Sequence, residues 1–254
     1  MINFKLYTSF AILLSCVVIV FITLELLSIW WLILCLVFGF IVLIIASLNM
    51  GWHVFIKCFT HKKTTKKIIA LTFDDGPHPE FTPKVLALLN QYKAKATFFC
   101  IGKHIEKYPE LAKAIVNEGH AIGNHSYSHS KTIGFNNTKS WVEEIERTDQ
   151  LIEQATGFKT NLFRPPFGVT TPHLASALKT TNHSCIGWNN RSFDTFIKSP
   201  KTISNRVLEQ VTPGGIILLH DTQANCISVL EHLLHVLQSE HYKMVTINDL
   251  LYEN

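Results

Sequence analysis

The first 56 residues form an almost uninterrupted apolar pattern. Two apolar stretches, residues 6–24 and 26–48, are separated by Glu25, the sole Asp, Glu, Lys or Arg between Leu6 and Ile56. As one continuous helix they would span roughly 65 Å, twice the hydrocarbon core of about 30 Å, and neither stretch has a polar face. The pattern predicts a membrane anchor over residues 1–56, made of two transmembrane helices with a tight turn near Glu25. A cleaved signal peptide is the alternative for the first stretch.

From Ile68 onward, short apolar runs alternate with segments of helical spacing. The strand-like runs are IIALTF, ATFFCI, HAIGNHS, NLFRPP, HSCIGW, GIILLH and YKMVTI. Helical segments such as TPKVLALLNQYK, PELAKAIVNEG and residues 138–156 lie between them, the last two closing on Gly119 and Gly157. Strands alternating with helices predict an α/β domain with a mainly parallel sheet over residues 68–254. Seven or so units suit a closed or nearly closed barrel, and an open sheet is the alternative.

The net charge of +4 is concentrated in one short segment. Five lysines lie between residues 57 and 67, which we interpret as a basic juxtamembrane linker. From Ile68 to the carboxyl terminus, 17 Lys and Arg face 18 Asp and Glu. A nucleic-acid-binding domain would carry its basic residues on the fold itself, so the charge pattern argues against a nucleic acid partner.

The same lysines indicate an orientation in the membrane. Two spans return the chain to its starting side, and Lys5 precedes the spans while the five lysines follow them. The positive-inside rule then predicts an integral membrane protein with both ends, and the α/β domain, on the cytoplasmic side. The lysine run would lie against anionic headgroups, at about 1 kcal/mol per residue. A merged single anchor or an inverted hairpin, with the domain outside, is the alternative.

The six cysteines show neither a disulfide framework nor a zinc-finger spacing. Two lie in the apolar stretches, and Cys100 and Cys185 lie in strand-like runs, where a free thiol behaves as a small apolar residue. The cysteine pattern therefore mildly favours free thiols and a reducing compartment.

Residues capable of chemistry follow the predicted strands. They are Asp74 and Asp75 after IIALTF, His125 and His129 after HAIGN, Arg164 after NLF, Asp194 after HSCIGW, and His220 and Asp221 at the end of GIILLH. In βα folds, functional groups gather just past the carboxyl ends of strands. Each signal alone is modest, since Asp-Asp-Gly-Pro is a common turn and a His-x-x-x-His pair is often structural. Together, two histidines four apart and a carboxylate make a three-ligand set that leaves metal positions open.

Four motifs carry a resemblance to a known family. TFDDGPH, HSYSH, RPPFG and ILLHD, in this order, resemble the polysaccharide deacetylases with a NodB homology domain, carbohydrate esterase family 4. The resemblance covers the chain from about Lys67 to the carboxyl terminus. It implies a deformed (β/α) barrel and a metal-dependent hydrolysis of the N-acetyl group of an amino sugar.

The resemblance also implies roles for individual residues. The metal, most often Zn²⁺, would be held by Asp75, His125 and His129. Asp74 would be the general base, oriented by Arg164, and His220 the general acid. The substrate would contact the backbone at Pro166 and Phe167, and Leu219 would form an apolar wall around the acetyl methyl group.

One motif departs from the family pattern. The segment WNNRSFDT has Arg191 where a first Asp is usual and Thr195 where a Trp is usual. Asp194 is retained, and its family counterpart pairs with the acid histidine and raises its pKa. Arg191 beside the site either favours an anionic substituent on the substrate or is a solvent-facing arginine.

We therefore predict a membrane-anchored carbohydrate N-deacetylase. Its substrate would be an N-acetylated amino sugar in a polysaccharide, peptidoglycan or lipid-linked glycan, and the cytoplasmic orientation favours a polyprenyl-phosphate-linked sugar. The alternative is a catalytically inactive carbohydrate-binding relative. The sequence carries no signal for an oligomeric state.

Overall fold

The computed structural model describes residues 4–252, so the outermost residues of the predicted anchor and domain lie outside the described part. Two long apolar helices begin the described chain, α1 (Phe4–Thr23) and α2 (Ile29–Leu48). Both are long and apolar enough to cross a membrane, by length and composition alone, and their side chains are mostly exposed. The turn between them closes through hydrogen bonds from the Leu26 and Leu27 N–H groups to the Phe21 carbonyl, with Glu25 at a φ of 60°. The two helices are compatible with the predicted hairpin.

The domain is built on a parallel sheet of eight short strands. They are β1 (Ile68–Asp74), β2 (Thr97–Cys100), β3 (Ala121–Asn124), β4 (Leu162–Phe163), β5 (Ser184–Cys185), β6 (Asn190–Arg191), β7 (Ile216–His220) and β8 (Lys243–Val245). Their order is β5-β4-β3-β2-β1-β7-β6, and β8 pairs with the first half of β1. The edge strands β5 and β6 are consecutive along the chain. The sheet therefore curls into a deformed half-barrel, which confirms the predicted fold class.

Helices cover the outside of the curled sheet. They are α3 (Phe81–Gln91), α4 (Gly102–Lys107), α5 (Pro109–Asn117), α6 (Thr138–Thr156), α7 (Pro172–Thr180), α8 (Pro200–Glu209), α9 (Asn225–Ser239) and α10 (Ile247–Tyr252). Helix α6 begins where the Asn137 side chain accepts a hydrogen bond from the Ser140 N–H, and it ends at Gly157, whose φ is 76°. Strand β6 and helices α4 and α10 were not predicted from the sequence.

Side-chain alternation along the central strands separates the core from the interior of the half-barrel. In β1, Leu71 and Phe73 pack into the core under the helices, and in β7, Ile217 and Leu219 do the same. Thr72 and Asp74 alternate with them and point to the other side of the sheet. The carboxyl ends of β1 and β7 are paired, with Asp74 opposite His220, so polar residues of both strands meet at one edge.

The segment before β1 is joined to the sheet, which corrects the free-thiol prediction for Cys185. Cys58 and Cys185 form a disulfide with a Cα–Cα distance of 4.5 Å, and both side chains are buried. The pairing arises because Phe59 forms a parallel bridge with Ile186, which places Cys58 beside β5. Cys16, Cys35, Cys100 and Cys226 are free, which agrees with the prediction made for Cys100.

The lysine-rich residues 57–67 also contact the domain. His61 forms a bridge with Gly215, and the Nζ atoms of Lys62 and Lys67 donate to the carbonyls of Leu251 and Glu240. The assignment of this segment to a separate linker stays a prediction.

Candidate active site

The predicted metal ligands converge at the carboxyl edge of the sheet. Asp75 follows β1, and His125 and His129 follow β3. One ligand atom from each residue lies within 4.8 Å of the others. The Asp75 Oδ1 atom is 3.4 Å from the Nε2 of His125 and 3.2 Å from the Nε2 of His129.

The protonation of these groups suits a cation. The Nδ1 of His125 is 2.8 Å from the Arg164 carbonyl oxygen, which only accepts, so Nδ1 donates in this bond and Nε2 is the ring nitrogen that faces Asp75. Burial and the neighbouring His125 lower the pKa of His129 to about 4, against the opposing charges of Asp75 and Asp74, so this imidazole is neutral at pH 7. Burial alone would raise the pKa of Asp75, yet the surrounding histidines lower it, and this carboxylate is ionised. Two imidazole nitrogens and one carboxylate oxygen thus face one point, and this set of atoms fits a divalent metal ion.

Side chains not predicted from the sequence hold the loop that carries both histidines. The Glu144 carboxylate accepts from the Tyr127 and Ser128 N–H groups at 2.9 and 2.7 Å, and the Asn124 side-chain oxygen accepts from the Ser126 N–H at 2.8 Å. These bonds support a backbone that turns through positive φ at Ser126 and His129. Glu144 lies on helix α6, where the sequence pattern gives it no distinguishing signal.

Asp74 and Arg164 form a buried ion pair beside the ligand set. The Arg164 side chain is fully buried, and its NH1 atom lies 2.7 Å from both Asp74 Oδ1 and Thr72 Oγ1. The remaining nitrogens donate to the carbonyl oxygens of Ile186 and Gly187. Because these bonds fix the guanidinium, Asp74 Oδ1 is held in place. Asp74 Oδ2 lies 3.8 Å from the Nε2 of His125.

His220 and Asp194 form a second pair across the cavity. Asp194 Oδ1 is 2.7 Å from His220 Nδ1, and its Oδ2 accepts from the His220 N–H at 2.8 Å. Burial alone would lower the pKa of His220, but the hydrogen bond and charge of Asp194, reinforced by Asp74 and Asp75, raise it to about 9. The Nε2 atom of His220 is 3.9 Å from Asp75 Oδ2, so it faces the ligand set.

These groups open into one cavity of about 230 Å³. Its mouth is formed by Phe167, Arg191, Thr195 and Phe196, which we call the rim. Phe167 has a φ of 59°, and its ring lies tilted against the His129 ring with the centroids 4.5 Å apart. Pro166 beside it is buried and does not line the cavity.

The structure corrects the predicted apolar wall. Leu218 lines the cavity, while Leu219 packs in the core under the helices. The reason is the two-residue period of β7: His220 faces the cavity, so Leu218 shares its side and Leu219 does not.

Asp221 supports the Asp74–Asp75 loop. The sequence predicted its position at the end of a strand but no role for it. It is fully buried and accepts a hydrogen bond from the Thr82 hydroxyl group. A Cβ atom at Gly76 would come within 2.5 Å of its Oδ1 atom, so the turn after Asp75 requires glycine there. Burial raises the pKa of Asp221 to about 7.

The curled parallel sheet brings possible metal ligands, a carboxylate and a histidine together in one cavity. This arrangement is typical of a hydrolase. The chain belongs to the polysaccharide deacetylase family: the family model described as "Polysaccharide deacetylase" matches residues 61–186. A peptidoglycan-N-acetylglucosamine deacetylase of Bacillus cereus is 36% identical over 186 residues, covering 72% of this chain and 67% of the relative. The chain is thus a polysaccharide deacetylase, with the NodB-type fold.

Solved structures share the same fold. The peptidoglycan deacetylase PdaC from Bacillus subtilis superposes with a TM-score of 0.69 at 34% identity, over 73% of this chain and 90% of that structure. A carbohydrate esterase family 4 pseudoenzyme from Bacillus anthracis has a TM-score of 0.72 at 28% identity, over 77% of this chain and 69% of that structure. The family therefore includes a member without activity on the same scaffold.

Proposed function

We propose that the protein is a membrane-anchored, metal-dependent deacetylase that hydrolyses the N-acetyl group of an amino sugar in a glycan. One observation carries this proposal. A three-ligand set, a carboxylate fixed by a buried arginine and a histidine fixed by a buried aspartate all face a single cavity. A protein that only binds a glycan has no need for two separately oriented proton-transfer groups.

Asp75, His125 and His129 are the residues that would hold the metal. Two imidazole nitrogens and one carboxylate oxygen suit Zn²⁺, and three protein ligands leave positions for water and substrate. When bound, the cation would polarise the acetyl carbonyl and acidify the attacking water.

Asp74 takes a proton from the attacking water. Arg164 fixes Oδ1 of this carboxylate, which leaves Oδ2 on the side of the ligand set. A carboxylate held in one orientation next to the water site is suited to general-base catalysis. Arg164 therefore acts as a positioning residue.

His220 supplies a proton to the departing nitrogen. Asp194 occupies Nδ1, so the proton on Nε2 is the one directed into the cavity. Without this proton the leaving group would be an amide anion, a much poorer leaving group than a neutral amine. The backbone N–H of Phe167 is our assignment for a contact to the carbonyl oxygen as it gains charge, and Leu218 is our assignment for the wall around the acetyl methyl group.

We propose that Arg191 recognises an anionic group on the sugar. Its guanidinium lies 4.7 Å from the Phe193 ring centroid and 5.8 Å from that of Trp188, at the cavity mouth. Within residues 4–252 no carboxylate forms an ion pair with it. N-acetylmuramic acid fits this chemistry where its lactyl group bears no peptide and is a free carboxylate, and a curated relative, PdaC of Bacillus subtilis, is named a peptidoglycan-N-acetylmuramic acid deacetylase.

The experiment uses the full-length protein purified in detergent. Metal content is measured by mass spectrometry, and acetate release is followed with chito-oligosaccharides and with peptidoglycan fragments. Metal binding together with acetate release from either substrate supports the proposal. Glycan binding without acetate release from the metal-loaded protein would identify an inactive carbohydrate-binding relative instead.

For the location of the domain we propose the outer side of the membrane, in place of the cytoplasmic orientation inferred from the lysines. The Cys58–Cys185 disulfide supports this side, because disulfides persist in oxidising compartments and are rare in the cytosol. Two lysines of the basic run bond to the domain, so they are not free to contact headgroups.

Fusions after Asn254 test the orientation. Alkaline phosphatase activity combined with a dark fluorescent protein would support the outer side. A fluorescent fusion without phosphatase activity would instead support the cytoplasmic orientation. As a control, alkylation of unreduced and reduced protein reports whether Cys58 and Cys185 are paired in cells.

A further inference from the structure

The carboxyl end of helix α2 is bonded directly to the turn that forms one wall of the catalytic cavity. The Thr170 N–H donates to the Ser47 carbonyl oxygen at 2.8 Å, and the Ser47 hydroxyl group donates to the Thr170 carbonyl oxygen at 2.7 Å. The Thr170 hydroxyl group is 3.3 Å from the same Ser47 carbonyl oxygen. Thr170 follows Phe167 of the rim by three residues.

Two further contacts fix this joint. Met50, which follows α2, is buried among residues of the domain core, including Phe163 and Cys185. Its Cε atom lies 3.5 Å from the position that a Cβ atom would take at Gly168 and 3.3 Å from that position at Gly187. At the start of α1, the Phe4 N–H donates to the Val54 carbonyl oxygen at 3.1 Å. The hairpin is therefore docked on the domain rather than tethered to it by a flexible linker.

The helix length sets the height of the cavity above the membrane. Helix α2 has 20 residues, which at about 1.5 Å per residue spans roughly 30 Å, the thickness of a hydrocarbon core. Ser47, the penultimate residue, then lies at the boundary with the headgroups. Three residues of chain reach at most about 11 Å, so Phe167 lies within that distance of Thr170. The headgroup layer itself is about 5–7 Å thick on each side, so the cavity rim lies in it or just above it.

Exposed aromatic side chains next to the joint fit this height. Phe135 is 92% exposed. A Cβ atom on its neighbour Gly134 would lie 3.3 Å from Cγ1 of Val169, so this turn abuts the segment that binds Ser47. Trp52, just after the hairpin, is half exposed. Aromatic side chains are enriched at the level of the headgroups.

We infer that the cavity works at the bilayer surface and that the preferred substrate is an N-acetylated amino sugar carried on a membrane lipid. The inference rests on the proposed deacetylase function and specifies its substrate class. It holds for either face of the membrane. A finished polymer that is remote from the bilayer would be out of reach of a cavity that the hairpin holds at this height.

A molecular ruler tests the inference on the unaltered protein. The full chain is placed in nanodiscs with chitotetraose attached to a phospholipid through 3 or 18 prolines, which form rigid spacers of about 9 and 56 Å. Free chitotetraose is the third substrate. We expect acetate release from the short conjugate to exceed that from the long one at least about tenfold at equal surface density. If free chitotetraose is hydrolysed and the long conjugate releases acetate as fast as the short one, or faster, the inference is overturned. No release from any of the three would instead count against the deacetylase function.

A matched pair of insertions shows whether the joint is responsible. A flexible insertion of 12 Gly and Ser residues after Leu48 separates Ser47 from Thr170 and allows the domain to rise by about 20 Å. The same insertion after Glu25 lengthens the opposite end of the hairpin and leaves the joint intact. We expect the first insertion to abolish the preference for the short conjugate and the second to retain it, with both variants still active on free chitotetraose. A preference that survives the insertion after Leu48 would contradict the role of the joint.

Discussion

The two sides of the catalytic cavity are built in different ways. One side, which we call the base half, consists of Asp74, Asp75, His125, His129 and Arg164. It lies at strand ends, and its side chains are tied by hydrogen bonds to backbone and to each other. The rim opposite lies on loops and at the end of the short strand β6, and its Phe167 is 50% and its Phe196 74% exposed. Strand ends therefore hold the residues of the base half in fixed positions, whereas the exposed rim can vary without disturbing them.

The first way to test this contrast is to remove a metal ligand. We expect His129→Ala to lose bound metal and to lower the rate of acetate release at least about a thousandfold, because two ligands leave an incomplete site. His232→Ala, on the exposed face of helix α9, is the matched control and should keep both. Metal analysis and an acetate assay measure the outcome. Full metal content in His129→Ala would show that His129 is not a ligand.

Asp74→Asn separates the base from the metal site. The amide cannot accept a proton from water, so we expect metal content to be kept and kcat to fall by about 10² to 10⁴. The measurement is kcat for the metal-loaded variant with a chito-oligosaccharide. Normal turnover would remove Asp74 as the base.

Arg164→Met tests how far the base half depends on a buried charge pair. Removing the guanidinium leaves the Asp74 carboxylate unpaired, and we expect the free energy of unfolding of the metal-free protein to fall by about 3–5 kcal/mol. Lys139→Met breaks an exposed pair with Glu143 and should cost no more than about 0.5 kcal/mol. Urea unfolding in the presence of a chelator measures both. Equal effects would contradict the contrast between buried and exposed regions.

The acid pair has a pH signature. Asp194 helps to raise the pKa of His220 to about 9, and the acid works only while it is protonated, so activity is lost as the pH rises through this value. In Asp194→Asn the pKa of His220 falls, and the basic limb of the pH–rate profile should move to lower pH. The measurement is kcat/KM against pH. A basic limb that stays in place would mean that another group sets the pKa of His220, or that His220 is not the acid.

The smallest effect is expected at the rim. Arg191→Gln removes the cationic group, and we expect the ratio of kcat/KM between a carboxylate-bearing and a neutral sugar substrate to fall by about tenfold, mainly through KM. Because Arg191 is outside the base half, metal content should not change. An unaltered ratio would identify Arg191 as a solvent-facing arginine.

Most of the fold and of the base half could be predicted because both follow from local patterns. The apolar runs marked seven of the eight strands, and the residues at or just after the ends of these runs are the ones that the structure brings together in the cavity. Strand β6 has two residues, which is too short for an alternating pattern. The predicted wall at Leu219 was wrong, although the alternation along β7 from His220 would have identified Leu218.

Contacts between distant parts of the chain could not be predicted. Cys58 and Cys185 are 127 residues apart, and their pairing depends on how the segment before β1 lies along β5. The bond between Ser47 and Thr170 depends in the same way on where the hairpin meets the domain. Neither contact has a periodic or compositional signal in the sequence.

The disulfide divides the proposed catalytic residues between two parts of the chain. All five residues of the base half lie between Cys58 and Cys185 along the chain, whereas Asp194 and His220 follow Cys185. A protease cut in an exposed turn between the two cysteines, such as Phe158–Lys159, leaves both fragments joined. A cut between Cys185 and Asp194 frees the fragment that carries Asp194 and His220. Electrophoresis without reductant would thus show a molecule cut between the cysteines as one species that keeps the entire base half. A cut between Cys185 and Asp194 would instead release a separate fragment with Asp194 and His220.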